Sequence, residues 1–268
     1  MKRPTIKFNY FHSPTFLPWL KRCNKQRSFM LIPVWLIFLL FAYGCDSTIS
    51  QPKDSLDALY PAASTVIKNH NNEWSRNNYT NRIQLFKSEP LKFGETVFIG
   101  NSLTEQGGDW SIKFGIRGIR NRGIAGDVTD GVLKRLDEII YYKPKSVFIL
   151  IGVNDIFNLQ GGGGITSADY IAGNILKIAQ KIQHGSPSTR VYVQTILPST
   201  AELKLNTQLV NDLIKRNGKD GVYTTIDLHA EFINNQGLMR PDLTTDGLHL
   251  NDRGYKVWTN FIDSMVRL

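Results

Sequence analysis

Short apolar runs alternate with helix-like segments from residue 96 onward, and this alternation constrains the fold more than any other feature of the chain. The runs are nearly continuous in apolar residues, as expected of strands buried on both faces of a sheet. Their alternation with helices predicts an α/β fold of three layers, with a five-stranded parallel sheet between two layers of helices. The predicted strands are "TVFIG" (96–100), "GIRNRGI" (118–124), "SVFILIG" (146–152), "RVYVQTIL" (190–197) and "VYTTIDL" (222–228).

The segments between these strands carry the 3.6-residue apolar period of helices. Thr166 and Asp169 are predicted to form a capping box at the start of the first long helix. A helical lead-in is expected over residues 55–88, with "STVIKNHNNEW" and "NRIQLF" as its two pieces. The predicted buried faces of the later helices are Ile171, Ile175, Ile178 and Ile182; Leu205, Leu209 and Leu213; and Val257, Trp258, Phe261, Ile262 and Met265.

Residues 1–45 have the layout of an export signal. Seven basic residues and no acidic residue precede the uncharged apolar run 28–45, an order typical of secretory signals. The end of this run, "AYGC", resembles a bacterial lipoprotein cleavage site, which would place a lipid on Cys45. An uncleaved signal anchor and a soluble secreted product are the alternatives. Residues 46–54 are then expected to be a polar tether, and residues 55–268 an exported domain.

The net charge of +9 comes mainly from that first segment. Without its seven basic residues the chain holds 25 basic and 23 acidic residues, so the body is nearly neutral and a nucleic acid is not expected as a partner. The two cysteines are Cys23 and Cys45. The predicted domain therefore has no disulfide, thiol nucleophile or cysteine metal site. Its His, Asp and Glu spacings predict neither a metal site nor a cofactor.

Polar residues follow the predicted strands at the places where ligands bind in such sheets. Ser102 follows the first strand, Gly126 the second and Asn154 the third, while Asp246 and His249 precede the last helix. The carboxyl ends of parallel strands meet at one edge of the sheet. A serine, an Asp-His pair and amide donors at one edge are the groups that acyl transfer requires.

Each of these residues has a chemical reason to act. A serine hydroxyl needs a base within hydrogen-bond reach, which His249 can provide if Asp246 holds its imidazole in place. The backbone N–H groups of Ser102 and Gly126 and the side-chain amide of Asn154 could stabilise an oxyanion. Taken singly, Ser102 is more typical of a helix cap and Asn154 of a turn. The combination and its order favour catalysis.

Four short blocks, "GNSLT", "NRGIAGD", "GVND" and "DGLH", resemble the signature blocks of the SGNH (GDSL-type) esterases and acylhydrolases. The resemblance implies a flavodoxin-like fold with Ser102 as nucleophile, Gly126 and Asn154 as oxyanion donors, and Asp246 and His249 as the rest of the triad. Asn101 stands where the name-giving motif has aspartate. The blocks span residues 96–251, and the Gly-x-Ser-x-Gly elbow of α/β-hydrolases does not occur around Ser102.

The same resemblance implies a small acyl-ester substrate. Blocks one and two are most similar to the branch of platelet-activating-factor acetylhydrolase subunits and bacterial sugar O-acetylesterases, which favours removal of acetyl groups from a glycan. A lysophospholipase-like acylhydrolase, an O-acetyltransferase with the same triad, and an inactive glycan-binding lipoprotein are the alternatives. Asn101 and Trp110 are candidate substrate contacts, with core packing as the alternative for Trp110. The run 161–164 is either a lip over the site or a connector. The oligomeric state is not determined by these patterns.

Overall fold

The computed structural model describes residues 56–268. The predicted export signal, Cys45 and the tether 46–54 lie outside the described residues. The described residues belong to one compact unit. Within the described part of the chain, no helix is both long enough and apolar enough to cross a membrane.

The centre of the domain is a five-stranded parallel sheet, which confirms the predicted fold class. The strand order is β2-β1-β3-β4-β5, and all four neighbouring pairs are parallel. This is the flavodoxin-like order, in which β1 and β3 are the strands where the direction of winding reverses. The strands are β1 Thr96–Gly100, β2 Ile119–Gly123, β3 Ser146–Leu150, β4 Arg190–Gln194 and β5 Thr224–Ile226.

Helices cover both faces of this sheet. The helices that connect successive parallel strands pack on one face or the other, so the sheet lies in the middle of three layers. Short 3₁₀ turns occur at Ala201–Leu203, Gly218–Asp220 and Pro241–Leu243. The α-helices are α1 Glu73–Ser88, α2 Ser102–Glu105, α3 Trp110–Phe114, α4 Thr129–Leu133, α5 Asp137–Tyr142, α6 Val153–Gln160, α7 Ala168–Gly185, α8 Lys204–Asn217, α9 His229–Phe232 and α10 Asp252–Met265.

Successive strand residues point into two separate cores, because side chains alternate across a strand. Val97 and Ile99 of β1 join the core under α4, α5, α7 and α8. Phe98, between them, joins the opposite core with Trp110 and Trp258. Phe98 and Phe148 stack with ring centroids 4.7 Å apart. Burial on both faces accounts for the continuous apolar runs.

Two predictions about helix starts are wrong. The piece 64–74 is mostly irregular, and α1 begins only at Glu73, where Asn72 accepts a hydrogen bond from the Ser75 N–H. At α7 the capping residue is Ser167, which accepts from the Tyr170 N–H, rather than Thr166. Asn72 and Ser167 each have other polar residues beside them that could also cap a helix. Local composition therefore does not determine which of these residues starts the helix.

The predicted buried faces have different outcomes. The four isoleucines of α7 are all buried, as expected. On α8 the expected face is wrong: Leu205 and Leu209 are 66% and 46% exposed, and α8 buries Val210 and Ile214 instead. Met265, at the end of α10, is also exposed. Thr207 and Asn211 share this buried face with Val210 and Ile214, so two of its four positions are polar and the apolar period did not reveal it.

Candidate active site

The segments that follow β1, β2 and β3 meet at the carboxyl edge of the sheet, where winding reverses. Ser102 is the first residue of α2, directly after β1 and Asn101. The Asn101 side chain is 1% exposed and accepts a hydrogen bond from the Leu103 N–H at 3.1 Å. The expectation that Asn101 contacts substrate is therefore wrong, because Asn101 caps α2 and holds the turn that presents Ser102.

One flank of Ser102 is a turn that carries Asp246 and His249. His249 Nε2 lies 3.1 Å from Ser102 Oγ, and His249 Nδ1 lies 2.7 Å from Asp246 Oδ2. The other carboxylate oxygen of Asp246 accepts the backbone N–H groups of Leu248 and His249 at 2.9 and 2.7 Å. Hydrogen bonds thus join the side chains of Asp246, His249 and Ser102 in one continuous series, although Ser102 and His249 are 147 residues apart in sequence.

The electrostatics of this turn keep Asp246 ionised. Partial burial tends to raise the pKa of Asp246, but the hydrogen bonds from the His249 side chain and from two backbone N–H groups outweigh it and lower that pKa to about 2. An ionised carboxylate accepts the Nδ1–H of His249, so Nε2 carries the lone pair that faces the serine hydroxyl. The geometry thus selects the tautomer that can take a proton from Ser102.

The opposite flank of Ser102 is formed by the loop 124–128 and Asn154. Gly126 has φ of +81°, a conformation that favours glycine. Asn154 Nδ2 donates to the Asp127 carbonyl at 2.8 Å, which ties the start of α6 to this loop. Within residues 56–268, no protein group accepts a hydrogen bond from the Ser102 or Gly126 N–H. Two backbone donors are therefore available at this edge.

A buried ionic cluster holds the loop 124–128 in place. The Asp127 carboxylate accepts a hydrogen bond from Arg135 Nη2 at 2.9 Å, and its other oxygen lies 3.2 Å from His70 Nε2. These side chains are between 0 and 3% exposed. Arg135 also donates to the carbonyls of Gly100 and Arg122, at 3.1 and 2.7 Å. One guanidinium thus links the ends of β1 and β2 to the loop.

A second buried carboxylate lies behind Asn154. Asp155 accepts the Thr129 N–H at 3.0 Å and the Thr129 hydroxyl at 2.6 Å. Complete burial raises the pKa of Asp155 to about 7, although both hydrogen bonds from Thr129 oppose the shift. Asp155 joins the start of α6 to the start of α4, and so fixes the two segments that carry Asn154 and Asp127.

Trp110, the other candidate substrate contact, belongs to the core. It is 0% exposed, stacks on Phe98 at 4.4 Å, and donates its indole N–H to the Thr104 carbonyl. The expectation that Trp110 lines the site is wrong, because α3 directs its side chain into the core. That expectation came from the short distance between Trp110 and Ser102 in the sequence.

The lead-in contributes residues that the sequence patterns did not single out. Asn78 Nδ2 donates to the Ala125 carbonyl at 3.0 Å, and Trp74 and Ser75 lie against Gly126. Glu105 accepts the Ala125 N–H. No local motif marks these residues, because their roles depend on contacts between segments far apart in sequence. A polar cluster around one tryptophan, "NNEWSRNN" (71–78), is the only sequence signal for them.

The glycine run 161–164 packs beside the same lead-in. Cβ atoms placed on Gly163 and Gly164 would meet Asn71 Nδ2 and Asn69 Oδ1, and Asn158 donates to the Asn69 carbonyl at 2.9 Å. The run therefore lets the lead-in approach α6 closely, which favours the interpretation as a connector. In the part of the chain that the structure describes, no group of three or more His, Cys, Asp or Glu side chains could hold a metal ion.

Some known proteins are similar to this chain in sequence, and others are similar to it in architecture. The chain is 30% identical over 171 residues to human platelet-activating factor acetylhydrolase IB subunit alpha1, covering 60% of this chain and 70% of that protein. A GDSL-like lipase from Bacteroides thetaiotaomicron superposes with a TM-score of 0.62 at 22% identity, covering 72% of this chain and 98% of that one. A variant of an acetyl-xylooligosaccharide esterase from Geobacillus gives a TM-score of 0.55 at 17% identity, covering 66% and 97%.

The sequence profile of GDSL-like lipases and acylhydrolases matches residues 98–257, more than half of the chain. The matched stretch contains the segments that meet beside Ser102, from β1 to α10. Its members are hydrolases that act on ester bonds. The chain therefore belongs to the GDSL-like lipase/acylhydrolase family and is an esterase-type hydrolase.

Proposed function

We propose that Ser102, His249 and Asp246 are a catalytic triad that hydrolyses carboxylic esters. The observation that carries this proposal is the hydrogen-bonded chain from Asp246 through His249 to Ser102, with distances of 2.7 and 3.1 Å. Both distances fall within the reach that proton transfer to a base requires. The chain lies at the sheet edge where ligands bind in this fold.

The reaction proceeds in two steps. Ser102 Oγ attacks the ester carbonyl carbon while its proton passes to His249 Nε2, and the tetrahedral intermediate collapses when Nε2 returns that proton to the leaving alcohol. Water then gives a proton to Nε2 and attacks the acyl carbon. The second tetrahedral intermediate collapses when Nε2 returns that proton to Ser102 Oγ, which breaks the Oγ–acyl bond, releases the carboxylic acid and restores both residues. Asp246 stays ionised and stabilises the imidazolium that forms in both steps.

Three donors would stabilise the oxyanion. They are the N–H groups of Ser102 and Gly126 and the second amide hydrogen of Asn154, whose first hydrogen is bonded to the Asp127 carbonyl. Each donor contributes on the order of 3 kcal/mol to the transition state. The start of α2 adds a favourable dipole for negative charge at Ser102.

The substrate that fits best is a short acyl ester, an acetyl group on a carbohydrate. The human relative is named an acetylhydrolase, and a structural neighbour is named an acetyl-xylooligosaccharide esterase. The exposed position of the Asp246–His249 turn also leaves room for a bulky alcohol: the two side chains are 52% and 28% exposed. An open site of this kind suits a glycan better than a buried acyl tunnel would.

We further propose that the protein is exported and tethered through a lipid on Cys45. The support is the order of basic segment, apolar run and cysteine in residues 1–45. Replacing Cys45 by Ser would remove the lipid acceptor, so a radiolabelled fatty acid supplied to the cells should label the wild-type chain and not Cys45→Ser. A wild-type chain that stays in the membrane fraction without this label would instead support the uncleaved anchor.

The experiment is hydrolysis of p-nitrophenyl acetate, butyrate and octanoate by the full-length protein in a mild non-ester detergent. Ser102→Ala is compared with Ser264→Ala, a matched control at an exposed serine of α10. We expect the control to keep full activity and to prefer acetate, and Ser102→Ala to lose at least 10⁴-fold in kcat, an order-of-magnitude figure typical of triad nucleophiles.

Equal turnover by both variants would remove Ser102 as the nucleophile. No turnover of any ester by the control would favour a glycan-binding role without catalysis. A preference for octanoate would favour a lysophospholipase-like substrate, and transfer of acetyl to an added sugar would favour an O-acetyltransferase.

A further inference from the structure

Residues 67–88 of the lead-in pack against the oxyanion side of the site. They lie outside the stretch 98–257 that matches the family. They contact the site through Asn78, which donates to the Ala125 carbonyl, and through Ser75 and Trp74, which lie against Gly126. This chain therefore builds part of its active-site wall from a segment that the family profile does not contain.

Trp74 has an unusual position in this wall. It is 61% exposed, whereas Trp110 and Trp258 are 0% exposed. A Cβ placed on Gly126 would lie 3.1 Å from the edge of the Trp74 ring. The indole thus stands beside a proposed oxyanion donor and presents most of its surface to solvent. What distinguishes it from other exposed apolar side chains is this place beside Gly126, where its ring is available to stack on an apolar surface of a bound molecule.

The fold does not need this indole. Helix α1 is anchored through Tyr79, Ile83 and Phe86, which pack on Ile124 and Val128. Its start is capped by Asn72. Trp74 is not part of that cluster, and its ring buries little of its area. The exposed indole therefore has no evident structural role that would explain its position beside Gly126.

The exposed sequence neighbours of Trp74 are all polar. Asn71 and Asn77 lie three residues before and after it, and the charged Glu73 and Arg76 lie nearer; amide side chains both donate and accept hydrogen bonds. An aromatic face flanked by amides matches the chemistry of a sugar ring, which has an apolar face of C–H groups and a rim of hydroxyls. A lipid chain would match an apolar patch, which these asparagines interrupt.

We propose that Trp74 is a platform on which the sugar ring of an acetylated carbohydrate stacks while its ester carbonyl occupies the oxyanion site. This inference rests on the proposed function and names the element that recognises the alcohol part of the substrate. With the carbonyl oxygen held at the Gly126 N–H, the alcohol extends along the neighbouring wall, where the exposed indole lies. Trp74 is thus a specificity-determining residue supplied by the lead-in.

The first test compares a sugar ester with an ester that has no ring. Trp74→Ala and Trp74→Phe are assayed with acetylated xylobiose and with ethyl acetate, in the full-length protein. Loss of one stacking contact is expected to lower kcat/KM for the sugar ester about tenfold, mainly by raising KM. The value for ethyl acetate is expected to stay within about twofold, and Trp74→Phe is expected to retain most activity on both esters.

Phe93→Ala is the matched control, because Phe93 is an aromatic residue 65% exposed that lies before β1, at the opposite edge of the sheet. It should change neither ester. An equal loss on both esters in Trp74→Ala would overturn the proposal and make Trp74 a support for the oxyanion loop. No loss on the sugar ester would also overturn it.

The second test does not depend on turnover. In Ser102→Ala, acetylated xylobiose is titrated while tryptophan emission is recorded, with Ser102→Ala/Trp74→Phe as the reference. A saturable emission change that disappears in the reference supports the platform. An unchanged response in both overturns it. If the wild-type protein hydrolyses neither ester but Ser102→Ala gives the Trp74-dependent signal, the hydrolytic function fails while the binding platform stands.

Discussion

The two flanks of Ser102 are built in opposite ways. On one side, Asp246 and His249 lie in a partly exposed turn and are joined by bonds between residues two or three apart. On the other side, Asp127 is fully buried and is held by Arg135, eight residues later, and by His70, 57 residues earlier.

Because the two flanks differ in burial, substitutions on one should mainly change activity and substitutions on the other should mainly change stability. In the proposed mechanism the exposed flank performs proton transfer, but it buries little, so its side chains can be changed with small effects on folding. The buried flank contributes few reacting atoms, yet it contains charges that are costly to leave unpaired. Substitutions on the two sides should therefore affect different measurements.

The largest effect is expected from His249→Ala on the exposed flank. Without a base, Ser102 loses its acceptor, and kcat for p-nitrophenyl acetate should fall by about 10⁴-fold or more. The free energy of unfolding, measured by urea denaturation, should change by less than about 0.5 kcal/mol, because the side chain is partly exposed. His184→Ala, at an exposed histidine of α7, should change neither. A large loss of stability in His249→Ala would contradict the contrast between the flanks.

Arg135→Ala should show the reverse pattern on the buried flank. It leaves the Asp127 carboxylate without its main partner, so the free energy of unfolding should fall by about 3–5 kcal/mol. Arg253→Ala, which removes an arginine side chain that is 66% exposed and paired with Asp242, should cost about 0–1 kcal/mol. Equal costs for the two arginines in urea denaturation would show that the cluster does not hold the loop.

Asn154→Ala lies on the flank formed with the loop 124–128 and tests the proposed oxyanion site. Loss of one donor should lower kcat by about 10²–10³-fold and leave KM nearly unchanged, because the bond strengthens only in the transition state. Asn260→Ala, on the exposed side of α10, is the control. A rise in KM at constant kcat would assign Asn154 to substrate binding instead.

The smallest change from one measurement to the next is expected from Asp155, as a pH dependence of stability. Its pKa is raised to about 7 in the folded protein from an ordinary value of 3.8, so the folded state binds the proton more tightly. The stability that this proton confers is fully present below pH 3.8 and is lost as pH rises through about 7. Between these values wild-type stability should fall relative to Asp155→Asn by up to about 1.4 kcal/mol per pH unit.

Urea denaturation at pH 4.5, 5.5, 6.5 and 7.5 measures this difference. Asp263→Asn, an exposed aspartate of α10, should track the wild type across the series. Parallel profiles for wild type and Asp155→Asn would show that burial does not shift the pKa of Asp155 as described.

The sequence predicted the sheet and the positions of the candidate site, but not the support of the buried flank. Continuous apolar runs reveal strands because burial on both faces leaves a local signature, and β1 matches its prediction residue for residue. Asp246 and His249 are likewise only three residues apart. By contrast, the contact of His70 with Asp127 joins segments 57 residues apart, and no local pattern records it.

The wrong predictions have the same origin. Trp110 is near Ser102 in sequence but lies in the core, while Trp74 is 28 residues away and lies against the loop of Gly126. On α8, the period of leucines suggested a buried face, but the helix turns Val210 and Ile214 inward. Which face of a helix meets the sheet depends on the packing of its neighbours, and this information is not contained in the helix itself.

The distance between Ser102 and His249 has a consequence for the timing of synthesis. The two residues are 147 positions apart, and α10, which follows His249, binds back through the Tyr255 hydroxyl to the Leu103 carbonyl at 2.9 Å. At roughly 5–20 residues per second, the ribosome completes the serine on the order of ten seconds before the histidine. In the proposed mechanism, a nascent chain therefore carries its nucleophile without a base, and cannot cleave esters before His249 and the helix that follows it are made.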